Sequence, residues 1–350
     1  MSIIISKNGM NAKRLEKTNF KKEKDLQKYI FENPDCIPID DIKENVQFII
    51  LDREFPVNVG SIDALGVDSE GDIYIIETKL YKNPDKRKVL AQVLDYGASL
   101  WNSFSDANEF IKILSLRIMN KRDKSLVAIL EESFGESEEI IENMKYNLSN
   151  GFYRFIILMD KVPSILKNLI LYINQYSQFS VYSVELEYYS HEGYEILIPD
   201  IFGAEVQKKS AITKNRKIWN KELFFQNTKQ RVKESSYKAI IKIYEFSKEK
   251  ANEITWGTGI ETGSFNPKFY KINSRAIYTV RSDGKFIINR WPEDDEKTRE
   301  WKNNLCDKLT KIKKISNYIT KSMNKTYITI PPKAWTPVVD EIIKILDNML

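Results

Sequence analysis

The chain has 350 residues, 42% of them hydrophobic and 29% charged, which is enough for one large or two ordinary folded domains. Two cysteines are too few for a disulfide framework or a zinc cluster, and a single histidine excludes metal sites built on histidine pairs. The formal net charge is +5, and no apolar run is long enough to cross a bilayer or to act as a secretory signal, so we expect a cytoplasmic protein with no membrane partner.

The N-terminal region is predicted to contain two helices and three strands. The first nineteen residues show no clear period and are expected to lack regular structure. In Phe20–Glu32 the apolar residues recur at helical spacing, and the following Asn33-Pro34 ends that helix. The next elements are predicted as strands at Phe48–Phe55, Pro56–Asp63 and Asp72–Leu80, followed by a helix at Asp85–Trp101.

One of these strands carries charges where a buried face is expected. Alternation along a strand places Glu77 and Lys79 on the same face as Ile73 and Ile75. Charges at the end of a buried strand are costly unless they are paired or bind a metal. The preceding strand brings Asp63 to the same sheet, so the sequence predicts a polar site at one end of two neighbouring strands.

The helix that follows adds two polar side chains to this site. Gln92 and Tyr96 are four residues apart and therefore share one helix face. Two carboxylates held close together repel each other, and one pKa rises, unless a cation lies between them. Mg²⁺, with Mn²⁺ as the alternative, suits oxygen ligands from Asp63, Glu77 and the backbone carbonyl of Thr78. The predicted polar set is Asp63, Glu77, Lys79, Gln92 and Tyr96.

Helices and strands alternate through the rest of the first half. In the helix predicted at Val162–Gln175, we expect Ile165, Leu169 and Tyr172 to form the buried apolar face. His191 lies between two strand-like runs at an expected hairpin turn, so a Ser-His-Asp or Cys-His site has little support. The other predictions are helices at Ser105–Arg117 and Glu131–Leu148 and strands at 151–160, Phe179–Glu187 and Tyr194–Ile198. Such an order favours an α/β domain spanning residues 1–205.

A smaller α+β domain is predicted at residues 206–350, after a stretch containing Pro, Gly and a basic polar run. Its stretch from Thr255 to Phe269 has three glycines but no Gly-Lys-Ser/Thr, so it is predicted as a loop and not as a phosphate-binding P-loop. The remaining predictions are a mostly helical Trp219–Glu249, including a helix at Tyr237–Lys250, then a hairpin of Ala276–Val280 and Lys285–Asn289, a helix at Glu293–Ile315, a strand at Thr326–Ile330 and a helix at Val338–Met349.

Positive charge is concentrated in this C-terminal half. Val206–Lys250 contains thirteen Lys and Arg residues against four Asp and Glu, and Lys297–Lys325 contains nine against two. Such a distribution would suit the phosphates of a nucleic acid. Solvated helix faces in a lysine-rich chain explain it equally well.

The polar set resembles the PD-(D/E)xK nuclease superfamily, in particular its RecB-like branch with a QxxxY helix motif. Asp63 is followed after thirteen residues by Glu77-Thr78-Lys79 and then by Gln92-Val93-Leu94-Asp95-Tyr96. Upstream, Glu23 lies near the start of a helix, as the acidic residue of the first core helix does in that branch. Ile62 occupies the position of the family's proline, where members vary. The resemblance covers residues 20–105 by motif.

The resemblance implies a restriction-endonuclease-like core with a mixed central sheet flanked by helices. It also implies a Mg²⁺-dependent nuclease that hydrolyses phosphodiester bonds, of DNA more than of RNA, in defence, restriction or repair. Glu23 would assist the metal ligands Asp63, Glu77 and Thr78. Lys79 would position the attacking water or neutralise phosphate oxygens, and two copies would pair if the enzyme makes double-strand breaks.

Two other classes of function stay open at this point. The chain could be a catalytically inactive nucleic-acid-binding protein on a nuclease fold, which would bind in a salt-sensitive way without metal-dependent products. It could also be a structural or partner-binding protein. The joint presence of Asp63, Glu77 and Lys79 favours the enzyme, because a simple binder has no reason to hold two carboxylates beside a phosphate.

Overall fold

The strands that carry Asp63 and Glu77 lie inside a seven-stranded mixed sheet. In the computed structural model the described residues are 3–7, 10–43, 46–82, 88–104, 106–177, 179–204, 219–257, 259, 262–289, 294–322 and 327–350. Within these ranges, no helix is both long and apolar enough to cross a membrane. The chain divides into two compact units, Met1–Leu126 with Glu138–Ala211, and Val127–Ser137 with Ile212–Leu350.

The first unit contains the seven-stranded sheet and a separate two-stranded ribbon. Its strands are β1 (Ile3–Lys7), β2 (Met10–Leu15), β3 (Lys17–Thr18), β4 (Phe48–Val57), β5 (Gly60–Asp68), β6 (Ile73–Lys79), β7 (Tyr153–Met159), β8 (Ser180–His191) and β9 (Tyr194–Phe202). The sheet order is β3-β8-β7-β6-β5-β4, and β9 also pairs with β8. Strands β6, β7 and β8 are parallel, whereas β4, β5 and β6 form an antiparallel meander.

Helices cover this sheet and bring further polar residues to it. Those assigned to the first unit are α1 (Glu23–Glu32), α2 (Ile39–Ile42), α3 (Lys88–Ser103), α4 (Ala107–Arg122), α6 (Glu138–Ser149) and α7 (Ser164–Tyr176), while α5 (Leu126–Phe134) lies almost entirely in the second unit. Helix α1 buries Leu26 and Ile30 in a core that includes Ile76 of β6. Helix α3 packs closely on the sheet at Gly97, where an added Cβ would lie 2.5 Å from the ring of Phe155.

Two predictions for the N-terminal part are wrong in detail. Residues predicted to lack structure form β1, β2 and β3, and β3 pairs with β8, far away in sequence. The predicted break at Pro56 is absent, because β4 continues to Val57 and the turn follows at Asn58 and Val59. Strand β4 is at the edge of the sheet, where a proline lacking an N–H is tolerated. Residues 83–87, at the start of the predicted Asp85–Trp101 helix, lie outside the described residues.

The helix predicted at Glu131–Leu148 is two helices, α5 and α6, separated by Gly135. Gly135 has φ +73°, a left-handed conformation that favours glycine and ends a helix. Glu136, just after this break, belongs to the second unit, where its Oε2 lies 3.3 Å from Arg281 Nη1 and forms an ion pair with Lys285. Val127–Ser137, which includes nearly all of α5, thus belongs to the second unit, and α6 belongs to the first.

Helix α7 forms as predicted but presents the opposite face to the core. Its buried residues are Leu166, Ile170 and Asn174. The residues predicted as its buried face, Ile165, Leu169 and Tyr172, are exposed. Because this helix is apolar on two sides, the hydrophobic pattern alone does not identify the side that contacts the sheet.

The second unit contains a five-stranded antiparallel sheet in the order β10-β11-β12-β13-β14. Its strands are β10 (Glu253–Trp256), β11 (Ser264–Lys268), β12 (Tyr278–Arg281), β13 (Phe286–Asn289) and β14 (Tyr327–Ile330). Its C-terminal helices are α8 (Lys221–Arg231), α9 (Glu234–Lys250), α10 (Glu296–Leu309), α11 (Lys313–Thr320), α12 (Pro332–Trp335) and α13 (Val339–Asp347). One apolar core joins the helices to the sheet, with Trp335, Tyr278 and Phe286 among its largest buried side chains.

Two predictions for this unit are corrected. The stretch predicted as a loop between Thr255 and Phe269 contains half of β10 and all of β11, which pair with each other. The single helix predicted at Glu293–Ile315 is instead α10 and α11, with the break at Thr310–Ile312. The predicted α/β organisation is confirmed at the level of a mixed central sheet flanked by helices and a separate sheet toward the C-terminus.

Candidate active site

The structure brings Asp63 and Glu77 together through the register of β5 and β6. Ala64 pairs with Ile76 in this antiparallel ladder, so Asp63 and Glu77 are the next residues along the two strands. Side chains opposite each other on neighbouring strands lie on the same face of the sheet. The predicted convergence of the two carboxylates is thus a consequence of one strand pairing.

Asp63 is held by hydrogen-bond donors that carry no charge. The N–H and the hydroxyl of Thr78 both donate to Asp63 Oδ2, at 2.8 and 2.7 Å. The side chain of Gln27, from α1, donates a further hydrogen bond to the same carboxylate. Burial raises the pKa of Asp63, while the bonds from Thr78 and Gln27 and the charge of Lys79 act in the opposite direction. These donors favour the ionised form and fix its orientation.

Glu77 is the least compensated acid of the site. Its side chain is only 2% exposed, and its Oε2 is buried with no hydrogen-bond partner within the described part of the chain. Burial, followed by the negative charge of Asp63, raises the pKa of Glu77 to about 9, although Lys79 opposes this. A buried carboxylate oxygen without a partner is costly to retain, and this cost requires an explanation.

Lys79 connects Glu77 to the acidic residue of α1. Its Nζ lies 3.7 Å from Glu77 Oε1 and 3.8 Å from Glu23 Oε2. The other carboxylate oxygen of Glu23 accepts a 3.3 Å hydrogen bond from the N–H of Leu80. Glu23 is therefore fixed against the end of β6, and the lysine is shared by two acids at distances typical of loose ion pairs.

Gln92 and Tyr96 of α3 form a pair beside the carboxylates. Gln92 Nε2 donates a 2.7 Å hydrogen bond to the Tyr96 hydroxyl. Burial raises the pKa of Tyr96, and the charges of Glu77 and Asp63 add to this effect, so its hydroxyl is in electrostatic range of both acids. The hydroxyl also lies 3.7 Å from the position of a Cβ built on Gly60, at the start of β5.

The structure thus places every predicted site residue at the same end of β5 and β6. Sequence reasoning missed Gln27, which donates to Asp63. Gln27 is four residues after Glu23, so the two share one face of α1. That spacing is the sequence signal that could have identified Gln27, but it shows a contact with Asp63 only once α1 is known to pack on this part of the sheet.

The donor chemistry of this site suits a hard divalent cation. Among the described residues, no group of three or more His, Cys, Asp and Glu side chains is arranged to hold a metal ion. Mg²⁺, however, is commonly held by one or two carboxylates, with water and substrate oxygens completing its shell. Asp63 and Glu77 supply two such groups, and the unpartnered Oε2 of Glu77 is an oxygen that a cation would satisfy.

The functional evidence is the geometry of this site. Comparisons of the chain with protein-family models, with curated proteins and with solved structures find no match.

Proposed function

We propose that the chain is a metal-dependent nuclease that hydrolyses phosphodiester bonds of DNA, with a PD-(D/E)xK-type site on a restriction-endonuclease-like core. One observation carries this proposal. In the described part of the site, the carboxyl groups of Asp63 and Glu77 lie side by side near the ammonium of Lys79, and one buried oxygen of Glu77 has no hydrogen-bond partner. A bound divalent cation would supply positive charge to both carboxyl groups and a partner to that oxygen.

The metal would be held by Asp63, Glu77 and the backbone carbonyl of Thr78, with Glu23 assisting directly or through water. Mg²⁺ is the expected ion, and Mn²⁺ the alternative, because all these ligands are oxygens. When bound, such an ion lowers the pKa of a coordinated water and stabilises negative charge on a phosphate.

Other side chains of the site would orient the metal ligands and the substrate and stabilise negative charge on the phosphate. The hydrogen bonds from Thr78 and Gln27 favour the ionised form of Asp63 and hold it in one orientation. Lys79, with its ammonium already beside Glu77, would donate to a non-bridging phosphate oxygen as negative charge develops there. Gln92 and Tyr96, bonded to each other, would orient the lysine or a phosphate oxygen.

A cleavage panel tests the proposal. The full-length protein is incubated with plasmid, linear duplex DNA, single-stranded DNA and RNA, each with Mg²⁺, Mn²⁺ or EDTA. We expect products from DNA only with a divalent cation. We also expect Asp63→Ala and Lys79→Ala each to lower the rate by about 10²-fold or more. Lys24→Ala, an exposed lysine on the same helix as Glu23, is the matched control and should cleave at the wild-type rate.

The same panel separates the alternatives. Cleavage that persists in EDTA, or equal rates in the Asp63 and Lys79 variants, would contradict the proposed chemistry. Salt-sensitive binding of nucleic acid with no metal-dependent product would instead support a catalytically inactive binding protein. RNA cleavage in place of DNA cleavage would retain the mechanism and correct the substrate.

A further inference from the structure

Helix α7 presents an apolar stripe to the exterior. Its side chains Ile165, Leu169, Tyr172 and Tyr176 are 43%, 37%, 67% and 75% exposed. The opposite side of the helix is already packed against the first unit through other residues, Leu166 and Ile170 among them. A contiguous apolar face of this kind on a protein surface commonly marks an interaction site. We call these four residues the α7 stripe.

The spacing of the α7 stripe is that of a helix–helix seam. Its members follow one another at steps of four, three and four residues, which is the a/d pattern of a coiled coil. At 1.5 Å per residue the stripe is about 16 Å long, or three helical turns. Tyr172 and Tyr176 lie side by side on it, with ring centroids 5.2 Å apart. Exposed tyrosines are among the residues enriched at protein interfaces.

The α7 stripe contains no charged side chain, and this favours a partner whose contact surface is also uncharged. In a chain with 29% charged residues, the only charged side chain in this thirteen-residue helix is Lys167. That lysine is half-buried, and its ammonium lies 5.2 Å from the centroid of the Phe202 ring. The residues flanking the stripe, Asn168 and Gln175, are uncharged amides. A nucleic acid or an acidic peptide would find no complementary charge here, whereas an identical stripe meets it without like-charge repulsion.

We propose that the α7 stripe is the surface through which two copies of this chain associate. Most homo-oligomers are twofold symmetric, and a twofold contact uses the same patch on both copies. An antiparallel arrangement would place Ile165 against the partner subunit's Tyr176 and Leu169 against the partner subunit's Tyr172. Three helical turns bury a small area, so the association belongs at the weak end of specific interfaces, those below about 1,200 Å². The proposal does not depend on nuclease activity.

Sedimentation equilibrium of the full-length protein tests this proposal over protein concentrations from roughly 1 to 100 μM, a range that covers weak association. We expect the mean mass to rise from the 41.0 kDa of one chain toward twice that value. Leu169→Glu combined with Tyr172→Glu should weaken association by about 100-fold or more, because it buries like charges. Leu116→Glu is the matched control, since Leu116 is 55% exposed on another helix, α4, and this variant should associate like the wild type.

A charge-complementation experiment separates direct contact from an effect on folding. Leu169→Lys and Tyr172→Glu are prepared as two single variants, each of which should self-associate less than the wild type. In the antiparallel arrangement, a mixture places the new lysine of one chain against the new glutamate of the other. We expect the mixed pair to associate about tenfold more tightly than either variant alone.

Four results would overturn the proposal. A wild-type protein that stays monomeric throughout the concentration range has no such interface. Equal weakening by Leu116→Glu would show that any added charge has this effect. A mixture that gains nothing over the single variants would exclude the predicted contact between positions 169 and 172. Slow maleimide labelling of Tyr176→Cys in a monomer would also count against it, because the stripe would then be covered within one chain.

Discussion

The two ends of the β5–β6 hairpin both bury acidic side chains, but they neutralise them differently. At the turn end, Lys43 Nζ lies 3.0 Å from Asp68, 2.8 Å from Glu70 and 3.0 Å from Asp72. Arg154 adds a second cation, with Nη2 2.8 Å from Asp72. This end therefore combines three carboxylates with two protein cations.

At the turn end, hydrogen bonds as well as ion pairs satisfy the carboxylate of Asp68. The N–H groups of Glu70 and Asp72 both donate to Asp68 Oδ1, at 2.9 Å, and the Tyr74 hydroxyl donates to Asp68 Oδ2, at 3.0 Å. Although burial lowers the pKa of Lys43, the three carboxylates raise it by more, so the lysine stays charged. A cluster that is paired and bonded in this way has a structural role.

At the opposite end of the hairpin the ion pairs are looser. The Lys79 ammonium lies 3.8 Å from Glu23 and 3.7 Å from Glu77, and both distances are longer than those from Lys43 to its three carboxylates. An oxygen of Glu77 stays unpartnered. The comparison teaches that burial of acids does not by itself indicate a site. The informative feature is a buried acid without enough positive charge and hydrogen bonds around it, because a bound metal would supply that positive charge.

The largest expected loss of stability comes from a substitution at the turn end of the hairpin. Asp72→Ala leaves Lys43 and Arg154 buried with less negative charge, and breaking a buried ion pair in this way costs about 3–5 kcal/mol of unfolding free energy. Urea denaturation followed by circular dichroism measures it. Glu142→Ala removes a carboxylate that is 62% exposed in the same unit and should cost less than about 1 kcal/mol. Similar losses in the two variants would remove the distinction drawn between the clusters.

Glu77→Gln is expected to raise the unfolding free energy when no metal is present, whereas Asp72→Ala lowers it. Because the pKa of buried Glu77 is raised to about 9, the metal-free folded state at pH 7 must take up a proton that the unfolded chain does not, and this lowers its stability. The amide needs no proton, so the unfolding free energy at pH 7 in EDTA should rise by about 1–2 kcal/mol. Mg²⁺ at 100 times its dissociation constant should stabilise the wild type by about 2.7 kcal/mol and the variant much less. Urea denaturation with EDTA and with Mg²⁺ measures both effects.

Asp68→Asn at the turn end is the matched comparison, and it should lower stability in either condition because Asp68 is paired with Lys43. Equal stabilisation of wild type and Glu77→Gln by Mg²⁺ would show that Glu77 is not a ligand.

Gln27→Ala is expected to weaken metal binding without removing a ligand. Gln27 donates to Asp63, and loss of a partner that orients a metal ligand typically lowers affinity by about tenfold or more. Calorimetric titration with Mn²⁺ measures this independently of cleavage. Lys28→Ala changes the adjacent residue, which is exposed and paired with Glu32, and should leave the affinity unchanged. An unchanged affinity in Gln27→Ala would limit Gln27 to a packing role.

Much of the candidate site can be predicted because its residues are close in sequence. The alternation of a single strand places Glu77 and Lys79 on one face, and one antiparallel pairing adds Asp63. Helical spacing places Gln92 and Tyr96 on one face of α3, four residues apart, which is a separation at which side chains can form the hydrogen bond seen here. These are short-range regularities, so they hold whichever way the rest of the chain packs.

Other features depend on contacts between distant parts of the chain. Gln27 approaches Asp63 only because α1 packs on that part of the sheet, and Arg154 approaches Asp72 from a strand 82 positions later. For α7, both sides are apolar, so the pattern that predicts the helix cannot choose its buried side. Strand β3 is not predicted from the sequence because it pairs with β8, about 170 residues away, and leaves no local signal.

The smallest predicted effect is that of Tyr96→Phe. Tyr96 accepts from Gln92 at 2.7 Å, so the variant leaves that amide donor without its acceptor while keeping the aromatic ring. The loss of one such bond costs about 0.5–1.5 kcal/mol, which corresponds to a decrease in cleavage rate of up to about tenfold. Single-turnover cleavage of duplex DNA measures it, with Tyr194→Phe, at an exposed tyrosine of β9, as the control. A decrease as large as that of Asp63→Ala would mean that Tyr96 contacts the reacting groups directly, and the distinction between ligands and orienting residues at this end of the hairpin would need to be redrawn.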